Sequence, residues 1–269
     1  MHSPAITKLS EAKIRLVRVA KRLIWPHPLL YYPYGILRKR GNSLNTDFEF
    51  YMGGYPRSAN TFSQVAFMSA NPKTKILTHR HVPTFVLNLT RNGIPGLVLI
   101  RKPLDAAVSA AIYNGRSLEA AVAYWNDYYE TLLPIRSELF LARFEDVTHD
   151  FGAVMRALND RWGTSFVPFE HTPENASRCF QATEDICRGQ YGAVIESRVC
   201  RPSEQRRDAK HRRLQLDQSP FLRNELARAQ ELYDIFLGNS VALPREASSV
   251  RRAPAPPAGR AFEATSVGA

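Results

Sequence analysis

The chain has 269 residues, 44% hydrophobic and 23% charged, which is enough for one α/β domain with a real core. Its formal net charge of +11 favours polyanionic partners: nucleic acid, an acidic membrane surface or a phosphorylated small molecule. No stretch reaches the roughly 18 apolar residues of a membrane span, and Cys179, Cys187 and Cys200 form no C-x-x-C pair, which argues against a disulfide or zinc framework.

Residues 1–47 are basic and amphipathic. Ile6, Leu9, Ile14, Val17, Ala20, Leu23 and Ile24 recur at roughly helical spacing, with lysines and arginines between them. Those charges leave no clean signal peptide. Pro26 and Pro28 are expected to end the helix, and Arg38-Lys39-Arg40 adds a second basic cluster. Two readings stay open for this segment: a helix packed on the domain with a solvated basic face, or a contact between residues 1–25 and anionic lipid. With reduced cysteines, the expected location is the cytoplasm, peripheral to a membrane in the second case.

Residues 48–240 read as the folded domain. Strands are expected at Phe48–Met52, Lys75–Thr78, Leu97–Ile100 and Leu139–Arg143. Helices are expected at Thr61–Ala70, Thr84–Arg91, Leu104–Tyr113, Leu118–Leu133, His149–Arg161, Glu204–Leu214 and Pro220–Leu237. Strands alternating with helices predict a three-layer α/β/α fold around a mostly parallel sheet, and the glycine loop of Gly53-Gly54 after the first strand makes the expected class P-loop nucleotide-hydrolase-like. Ligands then bind beyond the C-terminal strand ends. Residues 241–269, rich in Ala, Pro, Ser and Arg, are expected to be a disordered tail.

Three polar segments follow strands directly. The first, Gly53-Gly54-Tyr55-Pro56-Arg57-Ser58-Ala59-Asn60-Thr61, has the strand, glycine loop and helix start of a phosphate-binding loop. It keeps the frame of G-x-x-x-x-G-K-[ST], with Ala59 for the second glycine and Asn60 for the lysine. Arg57 brings a planar, permanently charged fork instead. Amides from Ser58 to Thr61 would meet an anion at the helix start, assisted by side chains of Ser58, Asn60 and Thr61. The second segment places Arg101 after Gly96–Ile100 and Ser109 about two turns into the next helix. A second phosphate could sit there. The third is Thr78-His79-Arg80-His81-Val82-Pro83, where either histidine could serve as a base near neutral pH. No carboxylate or cysteine lies close enough in sequence to favour a metal reading of His-x-His. Glu145-Asp146 reads as a helix cap or a partner of nearby arginines, and Trp125, Tyr128 and Tyr129 as core.

The first two segments resemble the sulfotransferases that use 3'-phosphoadenosine-5'-phosphosulfate (PAPS). Tyr55-Pro56-Arg57-Ser58-Ala59-Asn60-Thr61-Phe62 is similar to their 5'-phosphosulfate loop. Ile100-Arg101-Lys102-Pro103-Leu104-Asp105-Ala106-Ala107-Val108-Ser109 is similar to their 3'-phosphate motif. The resemblance covers about residues 48–165. It departs at Ala59, a usual glycine, and at Arg57, which is lysine in the cytosolic branch. It departs again in the C-terminal R-K-G signature, whose place Arg201-Pro202-Ser203-Glu204-Gln205-Arg206-Arg207 could take.

The resemblance implies transfer of a sulfuryl group from PAPS to a hydroxyl of an unidentified acceptor, leaving 3',5'-ADP (PAP), with no metal required. It implies Arg57 and His81 as catalytic residues; aligned on Pro83, His81 is preferred to His79 as the base. It implies Arg57, Ser58, Ala59, Asn60, Thr61, Phe62, Arg101, Ser109, Arg201 and Arg207 as donor-binding residues. No nucleic-acid partner is expected on this reading. Two alternatives are a nucleotide kinase or triphosphatase with a degenerate loop, and a non-catalytic basic module at membranes or nucleic acid.

Overall fold

The computed structural model describes residues 4–201, 208 and 219–238. Helices α1 (Pro4–Ile24) and α2 (Pro28–Leu37) come first. Strands and helices then alternate: β1 (Phe50–Gly54), α3 (Asn60–Ala70), β2 (Ile76–Leu77), α4 (Pro83–Arg91) and β3 (Gly96–Ile100). After β3 come α5 (Pro103–Asn114), α6 (Leu118–Leu132), β4 (Leu141–Arg143), α7 (Phe144–His149), α8 (Phe151–Trp162), α9 (Pro173–Tyr191) and α10 (Pro220–Leu237). Prolines open α4, α5, α9 and α10, where a missing N–H costs nothing. Side chains of Ser117, Asp150, Thr172 and Ser219 cap α6, α8, α9 and α10 by accepting from the amide three residues on.

The four strands form one all-parallel sheet in the order β2-β1-β3-β4. Every residue of β1 and β3 is buried, as central strands covered on both faces require. Alternation along the strands divides the core in two. Tyr51, Val98, Ile100 and Leu141 face a cluster built with α4, α5, α6 and α10. Phe50, Met52, Leu97, Leu99 and Ala142 face one built with α3, α8 and α9. Trp125, Tyr128 and Tyr129 are fully buried in the first cluster, as the sequence predicts. The connection from β1 leads to one side of the sheet and β3 lies on the other. The switch point of the topology is therefore between the C-terminal ends of β1 and β3.

Some elements differ from expectation. Pro26 and Pro28 end α1 but do not end helical structure, because Pro28 occupies the first position of α2 and suits a helix start. The helix expected at His149–Arg161 is α8, which starts at Phe151 because the extended Asp150 caps it, and the short α7 before it ends at His149. In α7 Asp146 pairs with Arg143 at 2.6 Å, in keeping with the structural reading of Glu145-Asp146. Helix α9 has no counterpart in the sequence reading. Its buried stripe is Cys179, Thr183 and Cys187, residues too small and polar to stand out as an apolar repeat. The helix expected at Glu204–Leu214 lies outside the described residues apart from Asp208, and the tail 241–269 lies outside them entirely.

Helix α1 packs on α6 with its charged face inward. Arg18 meets Asp127 at 2.6 Å and Glu225 at 2.7 Å, and Lys21 meets Asp127 at 2.8 Å. Asn126 Nδ2 donates to the same Glu225 carboxylate at 2.7 Å. Burial opposes the charge on Arg18, but hydrogen bonds to Glu225 and Asp127 outweigh it and raise its pKa.

Candidate functional site

The loop between β1 and α3 is held from below. Gly54 passes so close to β3 that a Cβ there would lie 2.5 Å from the Leu99 carbonyl oxygen. The fully buried Tyr55 hydroxyl donates to Ala121 O at 2.8 Å, and Asn60 Nδ2 closes the loop by donating to Tyr55 O at 3.0 Å. Arg57 and Ala59 both have φ of 71°, in the left-handed region. Glycine would adopt this conformation at position 59 without the steric cost that alanine bears. No side chain caps the start of α3, so its first amides keep the polarity that attracts anions.

Arg57 turns into a cavity of about 590 Å³. Its Nε donates to Ser109 Oγ at 3.1 Å, its Nη2 donates to Val199 O at 3.3 Å, and its Nη1 lies 3.0 Å from Cys200 Sγ. The guanidinium also stands over the Tyr113 ring, 5.1 Å from its centroid. Arg101, just past β3, lines the same cavity. Its Nη1 donates to Arg57 O at 2.9 Å, and its guanidinium stacks on Phe144 at 3.9 Å. Burial lowers the Arg101 pKa, and the nearby charge of Arg57 adds to this against Asp105. Among the described residues neither Arg57 nor Arg101 forms an ion pair with a carboxylate. Two partly buried cations thus share one cavity, and a bound anion would offset their desolvation.

Both histidines line the cavity, and their hydrogen bonds distinguish them. His79 has Thr78 Oγ1 at 3.1 Å from Nδ1 and Thr61 Oγ1 at 3.1 Å from Nε2. His81 Nδ1 lies 2.9 Å from Gly54 O. A carbonyl only accepts, so Nδ1 carries the proton and Nε2 keeps its lone pair. The backbone of His81 is fixed as well, because Tyr124 donates its hydroxyl to His81 O. Burial pushes the His81 pKa down to about 4, helped by the positive charge of Arg57. The imidazole is therefore neutral at ordinary pH.

The structure brings most of the sequence candidates to this cavity: Arg57, Ala59, Asn60, Thr61, Phe62, His81, Arg101, Ser109 and Arg201 all line it. Several are already occupied. Asn60 ties the loop, Ser109 accepts from Arg57, and Phe62 is buried and packs edge-on and tilted against Phe169 and Phe180. Ser58 is buried within the loop. Arg201 is ion-paired with Glu184 at 2.5 Å and Glu196 at 2.8 Å. Arg207 lies outside the described residues. Tyr113, Phe144, Phe180 and Cys200 also line the cavity, and the sequence singles out none of them as a site residue. Aromatic residues after a strand or late in a helix look like core, and only tertiary contact assigns these to a site. None of the groups of three or more His, Cys, Asp or Glu that hold metals occurs among the described residues.

No protein-family model matches the chain. No curated protein shows significant similarity to it.

Proposed function

We propose that the chain is a sulfotransferase of P-loop-like three-layer architecture, moving a sulfuryl group from PAPS to a hydroxyl acceptor. The observation that carries this reading is the pair Arg57 and Arg101. They leave the adjacent ends of β1 and β3 and meet in one cavity without carboxylate partners among the described residues. A donor with phosphates at both its 5' and 3' positions needs two such cations. The two segments that resemble the sulfotransferase motifs supply them.

In the reaction, the acceptor oxygen forms a bond to sulfur as the bond from sulfur to the 5'-phosphate oxygen breaks. The acceptor's proton passes to His81 Nε2, and PAP leaves with the electron pair of the broken bond. Arg57 and the amides at the start of α3 would stabilise charge gathering on the leaving phosphate, a preorganised form of electrostatic catalysis. Arg101 and Ser109 would hold the 3'-phosphate. A bound phosphosulfate would compete for the Arg57 donors that now point at Cys200 and Val199. The free cysteines support a reducing, cytoplasmic setting.

The experiment is a thermal-stability measurement with PAP and with ATP plus Mg²⁺. PAP at about a hundred times its Kd should add about 2.7 kcal/mol, and ATP much less. Equal shifts, or none with PAP, would overturn the assignment. Arg57→Ala should abolish transfer from PAPS while leaving the circular dichroism spectrum unchanged.

A further inference from the structure

Many apolar residues of the N-terminal helices face away from the protein. On α1 the inward positions are Ile14, Arg18 and Lys21, followed by Trp25 just past the helix end, and the opposite stripe holds Leu16, Val19 and Leu23, at 73%, 57% and 65% exposure. Helix α2 contains no charged residue and buries only Tyr31 and Gly35. Leu29 and Leu37 stand 74% and 81% exposed on it, with Leu30 and Ile36 about half exposed. A helix apolar all round is normally covered by something.

The charge around this surface identifies the cover. Between Glu11 and Asp47 the sequence has no Asp or Glu, while lysines and arginines cluster on both sides of α2, from Lys13 to Arg22 and from Arg38 to Arg40. Arg18, Lys21 and Arg22 are taken up by Asp127, Glu225 and Glu130. Lys13, Arg15, Arg38, Lys39 and Arg40 remain exposed. We propose that α2 and the outer stripe of α1 form a docking surface for an anionic lipid bilayer. Leucines enter the acyl boundary while the flanking cations meet lipid phosphates. No described helix is long and apolar enough to cross a membrane, so the contact lies in the interface. A second copy of the chain is the poorer occupant, because two such faces would bring like charges together without a carboxylate between them. Arg18, Lys21 and Arg22 on α1 are not lipid contacts, since carboxylates of the protein itself neutralise them.

The test is sedimentation of the full chain with vesicles of phosphatidylcholine, with and without phosphatidylglycerol. The protein should pellet with the mixed vesicles, less so as salt is raised, and stay in solution with phosphatidylcholine alone. Leu29→Gln with Leu37→Gln should cut partitioning about tenfold per leucine while leaving the melting temperature unchanged. Arg38→Gln with Lys39→Gln should weaken binding and flatten its salt dependence. Absence of vesicle binding overturns the proposal, as does binding that neither double variant changes. So does a solution dimer that the leucine variant dissociates, which would assign the face to a second copy.

Discussion

At the scale of single residues, the loop carries strain that the sequence shows only as a departure from a motif. Ala59 has φ of 71° and ψ of 14°. A left-handed conformation costs a non-glycine residue roughly 1–2 kcal/mol, while glycine gives back about 0.4–1 kcal/mol through the freedom of its unfolded chain. Ala59→Gly is therefore expected to stabilise the fold by about 0.5–1 kcal/mol, read as a higher urea midpoint at unchanged slope. A lower midpoint would mean that the packing of the Ala59 methyl against the α3 side of the core outweighs the backbone term. His81 gives a prediction in pH. Its folded pKa is about 4 against about 6.5 in an unfolded chain, so between those values the unfolded state binds the extra proton. Stability is whole above about pH 6.5 and falls as the pH drops towards 4, by up to about 3 kcal/mol and less where solvent reaches the ring. Burial lowers His79 and His171 in the same direction, so His81→Asn should remove part of the slope rather than all of it. On the catalytic reading, the acid limb of kcat/KM should fall near pH 4 instead of near 6.5. A limb near 6.5 would point to another base.

At the scale of elements, legibility follows from which forces are local. β1 and β3 could be read because central parallel strands are continuous apolar runs ending in a glycine or an arginine. α9 could not, because its inward stripe of cysteine and threonine is shaped by α3 and not by its own hydrophobicity. The sequence leaves the basic face of α1 open between solvent and lipid. Its acidic partners, Asp127 and Glu225, lie 109 and 207 residues from Arg18, beyond any window of periodicity. That network makes α1 dependent on the carboxylate of Asp127, whose side chain is 2% exposed. Asp127→Ala would leave Arg18 and Lys21 facing each other without it, and should cost about 3–5 kcal/mol in denaturation experiments. Arg22, 58% exposed in its pair with Glu130, is the control: Arg22→Ala should change stability by less than about 1 kcal/mol. Equal effects would show that burial is not what gives the Asp127 pairs their weight.

At the scale of the whole molecule, the sheet order assembles a site that no single segment contains. Arg57 and Arg101 belong to loops 44 residues apart in sequence, yet they follow the adjacent strands β1 and β3 at the switch point. The sequence places both arginines beyond strand ends on one edge of the sheet; the hydrogen bond between them is legible only in the structure. Arg101 also donates to the Arg57 carbonyl, so one side chain would both support the 5' loop and hold the 3'-phosphate. These two roles separate in the affinities for PAP and for AMP, which lacks the 3'-phosphate. A charge-assisted contact to phosphate is worth about 1.5–3 kcal/mol. Arg101→Ala should thus weaken PAP roughly 10- to 150-fold more than AMP. Arg57→Ala should weaken both alike, since both carry a 5'-phosphate. If Arg101→Ala lowered the two affinities equally, the arginine would be a brace for the loop alone. The second anion site would then have to be sought among the other cations lining the cavity, beginning with Arg201.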